Sequence, residues 1–208
     1  MEKTEWTENV ILADADYTDS VAFDLTVNFE RMLGRRIPQA DMAQWTECVA
    51  LDGGLQEGSY EVQVILVHDR QARELKNFTP GKYEELNGKA FRGRLGEFTF
   101  TTVQTEEMAG KADLLSDMLQ VIGHQEGVKR LMLIVADQQL DGLRPLLKRI
   151  DSDSRRTTVF TMQPSRSEHQ TVVSDAGPSD SFAYGLGTMS YSLPSSASIL
   201  HSSSYATR

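Results

Sequence analysis

Eight residues, Val10 to Tyr17 (VILADADY), constrain the fold more than any other stretch. The run is apolar and stops on two aspartates, Asp14 and Asp16. A run this short, followed by residues that start helices, predicts the first buried strand of a parallel α/β sheet. In such sheets ligands bind beyond the carboxyl ends of the strands, where these two acids fall.

The rest of the chain repeats the pattern. Thr18, Asp19 and Ser20 offer caps for a helix with Val21, Leu25, Phe29, Met32 and Leu33 on its inward face, closed by Gly34 with Arg35 and Arg36 beyond. Pro38 opens a shorter helix carrying Met42, Trp45 and Val49, closed by Gly53 and Gly54. A strand over Glu61 to His68 follows, apolar almost throughout. Gln71 to Gly96 is irregular, with turns at Pro80-Gly81 and Asn87-Gly88 and a short helix around Tyr83 to Leu86. Phe98 to Val103 alternates as a strand with one wetter face, and Lys111 to Ile122 is an amphipathic helix. Arg130 to Ala136 is a strand ending at Asp137. Leu140 to Ile150 is a helix in which Pro145 implies a kink or a late start, and Thr157 to Met162 is a last strand. Strands alternating with helices predict a three-layer α/β/α sandwich on a mostly parallel sheet of about five strands, spanning residues 8–164.

After Pro164 the composition changes. Thirteen of the remaining residues are serine and none is lysine, so residues 165–208 read as a polar C-terminal extension, partly disordered or loosely docked. A hairpin within SFAYGLGTMSYSL is the ordered alternative. A net charge of -9 and a pI near 4.9 argue against an extended nucleic-acid surface, so no DNA is expected. One cysteine, Cys48, rules out an internal disulfide and fits a reducing compartment. The start, MEKTEWTEN, has no signal-peptide core, and no stretch approaches the roughly 18 apolar residues of a membrane span. The expectation is a cytoplasmic protein with no membrane partner.

Asp14, Asp16, Asp69, Asp137 and Asp141 all fall at strand ends or helix starts, and Asp113 and Asp117 lie four apart on one helical face. Carboxylates gathered at a sheet edge repel unless a cation neutralises them. Mg²⁺ takes oxygen ligands, keeps several waters, and can activate one for phosphodiester cleavage. The plainer alternative is that each aspartate caps a helix or a turn. For Asp14 with Asp16 the two explanations are nearly balanced, because two acids exceed what one cap requires.

These motifs, in this order, resemble a NYN domain of the PIN-like ribonuclease superfamily over most of residues 8–164. The opening D-x-D/E-N corresponds to Asp14-Ala15-Asp16-Tyr17. The K-G-x-D-x-x-L-x-x-D-L helix corresponds to Gly110 to Leu119, and S-G-D-x-D-F to Val135 to Asp141, followed by Pro145-Leu146. The chain also resembles an uncharacterised family from Bacteroides-like bacteria that shares the ADADY opening and the VFxMQP end of the core. The NYN resemblance implies Asp14, Asp113 and Asp137 as catalytic metal-binding acids, Asp16 and Asp117 in support, Mg²⁺ or Mn²⁺ as cofactor and RNA as partner. Three positions depart from it: Tyr17 stands for Asn, Gln139 for the second Asp, and Val135-Ala136 for Ser-Gly. Two functions follow. One is a divalent-metal-dependent ribonuclease with a degenerate acidic site. The other is a catalytically inactive α/β domain serving as a protein-interaction module or homo-oligomer. A small-ligand or nucleotide site on the same edge is a third.

Other residues carry less. His68 beside Asp69 suits an acid–base pair or a plain hydrogen-bonded histidine, and the four histidines lack zinc spacing. Gly81-Lys82, Gly88-Lys89 and Gly185-Leu186-Gly187 fit no phosphate-binding or nucleotide fingerprint.

Overall fold

A computed structural model describes residues 6–107, 110–150 and 155–161. It is an α/β/α sandwich on a six-stranded sheet ordered β5-β6-β3-β1-β7-β8. The strands are β1 (Asn9–Asp14), β3 (Tyr60–His68), β5 (Ala90–Gly93), β6 (Gly96–Gln104), β7 (Arg130–Ile134) and β8 (Arg156–Phe160). All pairings are parallel except β5 with β6. A two-residue pair, β2 (Ala40–Asp41) with β4 (Phe78–Thr79), lies outside the main sheet.

The helices divide between the two faces by strand parity. Ile11, Ala13, Val64, Leu66 and Met132 face α1 (Ala15–Leu33) and α2 (Met42–Asp52). Val10, Leu12, Ile65, Val67 and Leu133 face α4 (Lys111–Gly123) and α5 (Asp137–Ile150). Every residue of β1 is buried, as a central parallel strand requires. The predicted short helix is α3 (Tyr83–Leu86).

Five expectations are corrected. The shorter helix, α2, opens at Met42 with Asp41 as its cap, and not at Pro38. The sheet has six strands, because the irregular segment contains β5, joined to β6 through Arg94 and Leu95. The helix after β1 starts at Ala15, and Asp14 rather than Thr18, Asp19 or Ser20 is its cap, accepting from Tyr17 N at 3.1 Å. Its inward stripe outruns the core: Val21 is buried, but Met32 and Leu33 are 79% and 51% exposed. Finally, β7 ends at Ile134 and α5 starts at Asp137, so Pro145 lies well inside a helix and removes one backbone bond there. The expectations for residues 165–208 lie outside the described residues.

Candidate functional site

From β1 the chain runs outward through β3 and β6, then returns to place β7 and β8 on the other side of β1. This reversal opens the crevice at the carboxyl ends of β1 and β7, where α/β sheets hold their ligands. Asp14 reaches it as the last residue of β1, and Asp16 from the first turn of α1. Asp69 follows β3, Lys111 opens α4, and Gln139 lies in the first turn of α5.

Lys111 stands at the centre of this group. Its Nζ donates to Asp14 Oδ1 at 3.1 Å and to Asp16 Oδ2 at 2.5 Å, and lies 3.6 Å from Asp69 Oδ2. Asp14 is fully engaged. Oδ1 also takes the Tyr17 amide, Oδ2 accepts from Gln139 Nε2 at 2.8 Å, and the backbone carbonyl accepts from the Thr18 hydroxyl at 2.8 Å. Gln139 is held in turn by Ala136 N, which donates to its Oε1 at 3.2 Å. Asp16 Oδ2 also accepts the Asp69 amide at 2.8 Å.

The Asp14 side chain is only 3% exposed and that of Lys111 16%. A carboxylate this deep needs an opposite charge and further hydrogen bonds, and it has both. Burial pulls the Lys111 pKa down, but the hydrogen bonds and charges of Asp16 and Asp14 outweigh it, and the net shift is upward. The ammonium is therefore a stable positive charge at this rim.

The remaining predicted acids do not join the group. Asp113 is exposed and turns back on its own helix, accepting the Gly110 amide at 3.2 Å. Asp117 is exposed on the next turn of α4, and Asp137 is exposed at the start of α5. Asp141 pairs with Arg144 at 3.1 Å. Among the described residues, no group of three or more His, Cys, Asp or Glu side chains could hold a metal ion. The expected set Asp14, Asp113 and Asp137, with Asp16 and Asp117, is thus not gathered. The starts of α4 and α5 do reach Asp14, but through Lys111 and Gln139; Asp113 caps its own helix and Asp137 is exposed.

His68 is buried and stacks on Tyr83, with ring centroids 3.8 Å apart and an interplanar angle of 8°. Its Nδ1 bonds the Asp69 carbonyl at 2.9 Å, whereas the Asp69 carboxylate faces Lys111. The pair is therefore not joined as acid and base. The Tyr83 hydroxyl is buried without a partner among the described residues, and burial together with Asp16, Asp19, Asp14 and Asp69 raises its pKa. Two members of the site were missed in the sequence. Lys111 lies inside a helix motif defined by its acids, and Gln139, which stands where the S-G-D-x-D-F motif has an acid, is a donor to Asp14.

No helix among the described residues is long and apolar enough to cross a membrane. No curated protein and no solved structure matches the chain. The pattern of a family of unknown function, DUF6621, matches residues 3–175, and the chain belongs to that family.

Proposed function

We propose that this chain is a NYN/PIN-like domain in which a lysine has taken the cation's place, so that it acts by binding other proteins or its own copies rather than by cutting RNA. One observation carries this: Lys111 Nζ sits among Asp14, Asp16 and Asp69. Mg²⁺ or Mn²⁺ would need the same oxygens, and the ammonium neutralises them without a water for the metal to activate. The Gln139 amide adds to this, because it donates to the second oxygen of Asp14 where an acid would add negative charge. The order of motifs and the mostly parallel sheet support the NYN likeness.

The test is to incubate the full chain with single-stranded RNA and millimolar Mn²⁺. The proposal expects no cleavage that depends on Asp14. Cleavage by the wild type that Asp14→Asn abolishes would restore the ribonuclease reading, with Asp14 as a metal ligand.

A further inference from the structure

We infer that Arg130 and Arg156 together form a binding site for a phosphate group at the amino-terminal rim of the sheet, the end opposite Asp14. The two arginines begin β7 and β8 and stand directly opposite each other in the parallel register. Neighbouring strands lie about 4.8 Å apart, and residues in register point to the same side. Both guanidinium groups lean over Gly54. A Cβ placed there would lie 3.2 Å from Nη1 of Arg130 and 3.2 Å from Nη1 of Arg156, so the two nitrogens are within twice that distance of each other. Gly54 also has a φ of +89°, so both its backbone angle and the space above it call for glycine.

Like charges directly opposite on adjacent strands destabilise a sheet. Neither arginine has a carboxylate partner among the described residues, whose ion pairs involve Arg70, Lys82, Arg92, Lys111 and Arg144. The nearest compensation is the carboxyl end of α2, where Arg130 Nη1 donates to the Gly53 carbonyl at 3.4 Å. A helix terminus supplies only about half a charge, against two full ones. Asp52, at the end of the same helix, forms no ion pair with either arginine among the described residues. Nor is the pair the overflow of a basic protein, since the chain carries -9.

Two guanidinium forks match a dianionic phosphate in both charge and donor geometry. The amides of Gly53, Gly54 and Leu55 are already bonded to Val49, Leu51 and Ala50 carbonyls. Recognition therefore falls to the two side chains.

The test is thermal unfolding of the full chain with inorganic phosphate, sodium chloride holding ionic strength constant. Millimolar phosphate should raise Tm saturably, and Arg156→Gln should weaken the apparent affinity at least tenfold. Arg156 is exposed, so this variant should fold. In low salt without phosphate, Arg156→Gln should melt above the wild type, because the repulsion is relieved. Adenosine monophosphate run in parallel separates a nucleotide site, if it binds at least tenfold tighter, from a site for free phosphate, if the two match. Stabilisation no greater than chloride gives, or undiminished in Arg156→Gln, would overturn the inference. Neither result bears on the Lys111 rim.

Discussion

Lys111 and Asp14 are opposite charges brought together from positions 97 residues apart, both largely out of water. Removing one partner of such a pair leaves the other buried and uncompensated, at a cost of about 3 kcal/mol. Lys111→Met should therefore lower the unfolding free energy, measured by urea titration, by about that amount. The double variant with Asp14→Asn should recover part of the loss, since no charge is then stranded. The raised Lys111 pKa has a definite sign: its stabilisation is complete below the unfolded value near 10.5 and is lost as pH rises through the folded one. Asp52 works against stability. Its folded pKa of about 6 lies above the model-peptide 3.8, so stability falls as pH rises across that window. Asp52→Asn should flatten the fall and stabilise the chain at pH 7 by on the order of 2 kcal/mol, allowing for its partial exposure. Urea titrations at pH 4 and pH 7 would show it. At this scale the site was half legible. Asp14 and Asp16 could be placed because a strand end fixes where they emerge. Lys111 could not, because periodicity locates a helix but not which long side chain crosses to another strand.

The elements owe their register to a few close approaches. Gly96 opens β6 with a φ of +133°, and a Cβ there would lie 2.0 Å from the Tyr60 carbonyl oxygen of β3. Gly88 also has a positive φ, +70°, but has open space around it. Gly88→Ala should cost about 1 kcal/mol from backbone strain alone. Gly96→Ala should cost more than 3 kcal/mol, because β6 must also shift against β3. Equilibrium unfolding of the two variants compares them directly. Most elements were legible because the middles of β1 (Val10 to Ala13), β3 (Val64 to Val67) and β7 (Leu131 to Ile134) are buried on both faces and read as short unbroken apolar runs. The misses are instructive. Four residues of β5 around Arg92, with only one strand to pair with, leave no pattern strong enough to read. Met32 and Leu33 continue a helical stripe past the point where α1 still has a core to face.

For the whole molecule, two fastenings lie at opposite ends of the sheet. At the carboxyl end the Lys111 group ties the ends of β1 and β3 to the starts of α1 and α4, with Gln139 adding α5. At the other end Arg155 is buried and donates to the carbonyls of Gly123, Gln125, Val128 and Ile150. One guanidinium thus meets the negative poles of both α4 and α5 just before β8 begins. A lysine cannot reproduce that fork, so Arg155→Lys should cost about 2 kcal/mol and speed amide hydrogen exchange at the ends of α4 and α5 before it does so in β1. The central claim is that the acidic crevice carries its own cation, and calorimetric titration with Mn²⁺ of the wild type beside Lys111→Ala tests it most directly. The account predicts no binding heat from the wild type at millimolar metal, because the ammonium already holds the oxygens of Asp14 and Asp16, and any binding heat only from Lys111→Ala. Saturable binding by the wild type that disappears in Asp14→Asn would contradict it.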